Sequence, residues 1–348
     1  MTREAVLLAS WEGVRREELR KLLRNYRPEE ALAILEREVP GGRPDPEEVD
    51  ASVEKASKLG MGAVVYGGDE YPEILSEIPD PPAVLFHLGD LEGFLGMPAI
   101  AVIGSRRCTA YGRKVARTLS ADFADAGVAV VSGLARGIDG EAHRGAMDAG
   151  GVTMAVLGSG LDVIYPPEHD RLAQRILERG VLLSEYPPGT TPAKYRFPER
   201  NRLISGFSLG VVVVEAGRRS GTMITVNTAL DQGREVFAVP GEVTRAFSMG
   251  TNMLLRDGAG VVITASDVLE PLGILPVDGT APEGRMPESE TGRVIVGLLS
   301  EETLHFDSIL RMSGMGRALL QTELLELEMT GIVVQHPGKL YSLRRPIS

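Results

Sequence analysis

Residues 101 to 114 read AVIGSRRCTAYGRK, an apolar run that enters a glycine loop and then sets Arg106 and Arg107 where a nucleotide-binding loop would hold more glycine. A dinucleotide fingerprint needs three glycines so that the backbone can approach a pyrophosphate, and an acidic residue at the end of the second strand for the ribose. Here Gly104 is followed by Ser105, Arg106 and Arg107, and the second strand runs out as VVSGLARG, with no acid. Guanidinium groups at a strand end instead suit phosphate oxygens, which they grip as a fork, helped by a helix N-terminus.

The densest cationic stretch is AKYRFPERNR, in which Lys194, Arg196, Arg200 and Arg202 face only Glu199, and Tyr195 and Phe197 lie between them. Cations interleaved with aromatic rings suit a single strand of nucleic acid, whose backbone is charged and whose unpaired bases offer faces for stacking. The plainer reading is a solvated loop with surface ion pairs and two anchoring rings; the arginine loop at 104–107 favours binding. In EAGRRSGTMIT, Arg218, Ser220, Gly221 and Thr222 form a loop that either holds a phosphate or turns the chain. Asp139 and His143 in ARGIDGEAH are four apart, but no nucleophile or further metal ligand accompanies them. They read as a helix N-cap with a histidine packed one turn on.

These loops need a frame that gathers them. From Pro98 onward, AIAVIG, VAVVSG, VTMAVLG, VLLSEY, LGVVVVEAG, EVFAVPG and GVVIT alternate with helical stretches. Near-continuous apolar strands separated by helices form a parallel α/β sheet covered on both faces, and its ligands bind outside the carboxyl ends of the strands. All of the loops above fall on that edge. Before it, REELRKLLRNY and PEEALAILEREV carry leucines at helical spacing, a further helix is expected from Glu47 to Leu59, and an irregular connection through IPDPPAVLFHLGD follows. Residues 271–291, rich in Pro, Gly and acid, read as a linker. Residues 292–348 read as three helices and a hairpin tipped by Pro337 and Gly338, the order of a winged helix. Its third helix carries Arg317 and Gln321 but also Glu323, Glu326 and Glu328, which duplex phosphates would repel unless they point away.

The net charge of −11 argues against nucleic acid only when taken whole. Residues 1–98 hold 11 Lys+Arg against 20 Asp+Glu, whereas residues 99–270 hold 19 against 18. A phosphate site needs only a local excess, because charges are screened over about 8 Å at physiological salt. One cysteine, Cys108, excludes an intrachain disulfide and a multi-cysteine zinc site. With no apolar run of the roughly 18 residues a membrane helix needs, the expected location is the cytoplasm.

Taken together, GSR at 104–106, SGLARGIDGEAH at 132–143, AVLGSGLDVIYP at 155–166, SEYPPG at 184–189, FPERNRLISG at 197–206, VVEAGRRSGTMIT at 213–225, AVPG at 238–241 and GTNMLLRDGA at 250–259 resemble the DNA-processing protein A family, also called Smf. That resemblance spans nearly the whole central segment. It implies an extended Rossmann-like, doubly wound parallel sheet at 98–270, flanked by a small helical (SAM-like) domain and connector at 1–97 and by a C-terminal winged-helix domain. It further implies single-stranded DNA as the partner and a non-enzymatic role without cofactor or metal, loading the RecA recombinase in natural transformation. The pocket would comprise Gly104, Ser105, Arg106 and Arg107, then Lys194 and Phe197, then Arg200, Asn201 and Arg202. A homodimer is implied through the later segment, about Met223 to Leu269, where Met249, Met253, Leu254 and Leu255 read either as interface or as core. GVRREELRKLL lacks the Gly-x-Gly hairpin of a DNA-binding helix-hairpin-helix and is acidic, so no DNA contact is expected there.

Two other classes compete. Nucleotide phosphoribohydrolases have a similar sheet, but they use a Pro-Gly-Gly-x-Gly-Thr loop followed by a catalytic glutamate, and EAGRRSGTM and MITVNTALDQ supply neither. A duplex-reading regulator is disfavoured by the glutamates of the winged helix.

Overall fold

The computed structural model describes residues 3–274 except Arg219, together with 289–299, 304–329, 332–336 and 340–343. The chain forms two compact units that part between Ile274 and Leu275.

The first unit is built on a nine-stranded sheet: β1 (Gly62–Val65), β2 (Val84–Gly89), β3 (Ala99–Ile103), β4 (Ala129–Ser132), β5 (Thr153–Leu157), β6 (Val181–Ser184), β7 (Gly210–Val213), β8 (Glu235–Ala238) and β9 (Gly260–Val261). The spatial order is β1-β2-β6-β5-β4-β3-β7-β8-β9. The seven apolar runs from Pro98 onward become β3 to β9, every neighbouring pair parallel. Residues of β3 to β7 are buried throughout, as a sheet covered on both faces requires.

The segment expected to be an irregular connection contributes β1 and β2, which add antiparallel to the edge at β6. Prolines 81 and 82 signal a loop, yet they precede β2 and so remove no ladder donor from it.

Four N-terminal helices, Arg3–Ser10, Arg16–Asn25, Pro28–Glu38 and Pro46–Leu59, lie against this sheet. The last is started by Asp45, whose carboxylate accepts the Glu47 N–H at 2.8 Å, and is ended by Gly60 at a φ of +68°. Their apolar faces share one core with the sheet and its helices: Val6, Leu8 and Leu35 are buried together with Leu157, Ile176 and Leu182. The acidic N-terminal region is thus continuous with the sheet.

From β3 the chain winds outward to β6, then returns across to β7 beside β3 and winds the other way. The strand order reverses between β3 and β7, and that point is where an open α/β sheet leaves a crevice at its carboxyl edge.

In the second unit, helices Glu290–Leu299, Phe306–Ser313 and Arg317–Met329 pack on a sheet of β10 (Leu304–His305), β11 (Val333–His336) and β12 (Leu340–Leu343), ordered β10-β12-β11. Ile295, Ile309, Leu320 and Leu324 form its core. Strand β10 is too short for a periodicity reading to detect. Glu323 turns inward, accepting hydrogen bonds from Ser289 Oγ at 2.7 Å and Thr291 Oγ1 at 2.6 Å, so it steadies the first helix. Glu326 and Glu328 stay exposed. The hairpin tip at Pro337 and Gly338, and residues 275–288 of the expected linker, lie outside the described residues. Among the described residues no helix is long and apolar enough to cross a membrane.

Candidate nucleic-acid interface

A cleft of about 690 Å³ opens at the switch point, lined by the loops after β3 and β7 and by the start of helix Arg196–Gly206. Gly104, Ser105, Arg106, Arg107, Lys194, Phe197, Arg200 and Asn201 all line it, as do Ser220, Gly221 and Thr222. The chain is held tightly beneath these side chains. Ser105 N–H donates to Glu215 O at 2.7 Å, and a Cβ on Gly104 would meet that same oxygen at 2.9 Å and Ile138 at 2.6 Å. Only glycine lets the first loop lie this close. Buried Glu215 then joins the two sides of the switch point, its carboxylate accepting the Thr109 N–H at 2.8 Å and the Thr109 hydroxyl at 2.5 Å.

The Arg106 guanidinium sits over the Phe197 ring, 5.0 Å from its centroid, and the Tyr165 ring packs against the same phenylalanine at 5.6 Å. A cation on a ring face is attracted by the ring quadrupole, so Phe197 orients the arginine, and both side chains line the cleft. Arg106, Arg107 and Lys194 are exposed and form no ion pair with a carboxylate among the described residues.

Arg200 is different. It is buried, donates from Nη1 to Val156 O, and lies where any side chain at Gly133 would stand. Burial lowers its pKa to about 10, which leaves it charged at neutral pH, and Asp139 opposes that fall. Asp139, the one carboxylate among the described residues that line the cleft, is pushed upward by burial and pulled back by Arg200 and by backbone N–H groups. Asp139 is not the helix cap expected from sequence. Gly137, at a φ of +79°, holds that place, because the chain must pass close to the Ser105–Arg106 backbone there. His143 is buried one turn on, with Nδ1 2.7 Å from Thr153 Oγ1, and burial drops its pKa to about 3. The ring is neutral and structural.

Two expected site residues stand away from the cleft lining. Arg202 is buried, with Nε 2.9 Å from Asp80 and Nη2 2.7 Å from Glu185. Arg16 and Arg20 from the N-terminal helices join the same carboxylates. Arg218 is exposed on the loop after β7, beyond the cleft lining. The sequence reading missed Tyr165 and Phe247, which do line the cleft. Aromatics make up only 5% of the chain, so a tyrosine in the polar loop LDVIYPP was a usable signal. Among the described residues no cluster of His, Cys, Asp and Glu can hold a metal ion.

Fold and cleft together define a doubly wound, Rossmann-like protein whose crevice at the switch point is lined by cations and aromatic rings. The chain belongs to the DNA-processing protein A (DprA/Smf) family: the family described as DNA recombination-mediator protein A matches residues 62–273, and the DprA winged helix domain matches residues 279–339. Protein Smf of Escherichia coli is 40% identical over 286 residues, covering 79% of this chain and 75% of that protein. DNA processing protein DprA of Bacillus subtilis is 42% identical over 223 residues, 64% of this chain and 75% of that one. Among solved structures, DprA of Streptococcus pneumoniae aligns with a TM-score of 0.65 at 34% identity, over 78% of this chain and 98% of its own. DprA of Helicobacter pylori, described for its unique single-stranded DNA binding mode, aligns with a TM-score of 0.56 at 30% identity, over 62% of this chain and 97% of its own.

Proposed function

We propose that this protein binds single-stranded DNA in the switch-point cleft, with little regard to sequence, and hands the strand to RecA in DNA processing during natural transformation. The observation that carries the reading is the Arg106–Phe197 stack in a cleft whose exposed cations form no ion pair with a carboxylate among the described residues. Arg106, Arg107 and Lys194 serve the phosphates, and Phe197 with Tyr165 serves the bases. Gly104, Ser105 and Asn201 shape the wall between them. Ser220, Gly221 and Thr222 offer a further phosphate subsite at the start of helix Thr222–Asp231. The Helicobacter pylori relative, described as a single-stranded DNA binder, supports the ligand class. In this reading the protein acts in the cytoplasm as a binding protein, without catalysis or cofactor.

The test is anisotropy titration of labelled single-stranded and duplex oligonucleotides over a range of salt. If about four phosphates are neutralised, log K falls against log salt with a slope near −3 for the single strand, and the duplex binds more weakly. Equal affinity for duplex, or no salt dependence, overturns the reading.

The working unit is a dimer formed through the later part of the sheet. Strand β9 ends the sheet, Val261 and Ile263 are exposed at 51% and 78%, and Met249 is exposed nearby in sequence at 44%. Met253, Leu254 and Leu255 are half-buried, and Leu254 packs on the core. Two joined clefts raise the local concentration of the second site without new contacts. Ile263→Asp should therefore give a monomer in light scattering and slow RecA assembly on coated strands. A wild-type monomer with and without DNA would refute the dimer, and a dimer that never speeds RecA assembly would refute the loading.

A further inference from the structure

The geometry points to a second DNA-contacting surface outside the cleft, on the first turns of helix Ala110–Asp125, where Tyr111 stacks a base and Arg113 and Lys114 hold phosphates of a strand continuing from Arg107. This rests on the cleft reading and extends it. Arg107 lines the cleft and is exposed, and its loop leads within a few residues into the helix through the Thr109 cap. Arg113 folds back toward that loop, donating from Nη1 to Cys108 O at 3.1 Å. Lys114 is exposed one turn after Ala110. No ion pair joins Arg107, Arg113 or Lys114 to a carboxylate among the described residues.

Helix energetics do not account for these cations. The first turn of the helix has no acidic residue, and positive side chains near a helix N-terminus oppose the macrodipole. A solvated face chosen for stability would carry the opposite sign there. Bound phosphate reverses the penalty, because it neutralises the cations and lies at the favourable end of the dipole.

Tyr111 supplies the independent feature. Its ring is 50% exposed although the chain holds few aromatics, and its hydroxyl donates to Pro240 O at 3.2 Å. That bond fixes the ring, so a base stacking on it restricts little further side-chain motion. An exposed ring tethered at its polar end, on a helix turn whose cations have no carboxylate partner among the described residues, repeats the chemistry of the cleft in a second place.

The experiment compares two oligothymidylates, one of about six nucleotides that fills only the cleft and one of about sixteen that also covers the helix, a range set by single-strand site sizes in other folds. Tyr111→Ala is expected to lower affinity for the long strand about tenfold and leave the short one unchanged, with Tyr111→Phe, which keeps the ring and loses only its tether, falling between wild type and Tyr111→Ala. The exposed double variant Arg113→Gln/Lys114→Gln is expected to make the long-strand salt slope shallower by about 1.4 and leave the short-strand slope alone. Arg106→Ala is run beside them and weakens both lengths. Long-strand binding that stays at wild type in the Tyr111 and Arg113/Lys114 variants, while Arg106→Ala weakens both strands, overturns the second surface and spares the cleft. Equal losses on both lengths overturn it as a separate surface. Wild-type binding in Arg106→Ala overturns the cleft reading and this inference with it.

Discussion

Arg106→Ala lowers the affinity for single-stranded DNA by about 10- to 150-fold, the range given by losing a hydrogen bond to a charged group worth roughly 1.5 to 3 kcal/mol. Among the described residues the guanidinium forms no ion pair with a carboxylate, so its phosphate contact is not offset by a broken one. Phe197→Ala costs roughly 1 to 3 kcal/mol if a base stacks on that ring. The two losses should fall short of additive, because Phe197 also holds Arg106 in place, and side chains in contact couple. Arg179→Ala serves as the control: it donates to Gly150 O just before β6, at the amino edge of the sheet. Titrations of the three single variants and the Arg106/Phe197 double variant check this. Wild-type affinity in both cleft variants, with folding intact by circular dichroism, places the site elsewhere.

The frame of the cleft was legible because strand and loop alternation is a local signal. Each apolar run ending in glycine had to become a buried parallel strand, and all such loops share one edge, so Arg106, Lys194 and Phe197 converge without any knowledge of distance. Long-range partners were not legible. Nothing near Arg202 in sequence announces Asp80, 122 residues earlier, or the Arg16 and Arg20 helix that closes on it. A basic run therefore looked like one surface when Arg200 and Arg202 are both buried. Tyr165 was missed for a related reason, since its packing on Phe197 joins loops after two different strands. The glutamates of the winged helix show the same limit, because only the fold reveals that Glu323 turns inward while Glu326 and Glu328 do not.

Arg202→Met is expected to destabilise the first unit by about 1 to 3 kcal/mol, below the cost of stranding a fully buried charge, because Asp80 is 41% exposed and keeps Arg20, and Glu185 keeps Arg16. The side chain is 8% exposed and is shared between Asp80 and Glu185, itself 11% exposed; Glu185 accepts from Arg202 through Oε1, and its buried Oε2 has no hydrogen-bond partner. Lysine should not rescue it, because a single ammonium cannot span both carboxylates as the guanidinium fork does. Burial raises the Asp80 pKa, but Arg202 and Arg20 outweigh it and hold the carboxyl below its usual range. A depressed carboxylate contributes stability above its unfolded pKa of about 3.9 and loses it as pH falls through the folded value. The gap between wild type and variant is therefore full at neutral pH and narrows only below about pH 4. DNA binding separates this role from a direct contact. Measured well below the melting temperature, the Arg202→Met salt slope for single strands should match wild type, whereas a lost phosphate contact would make it shallower by about 0.7. A shallower slope with an unchanged melting temperature would return Arg202 to the DNA; a lower melting temperature with an unchanged slope makes it the residue that fixes helix Arg196–Gly206, and with it Phe197 and Arg200, against the N-terminal helices.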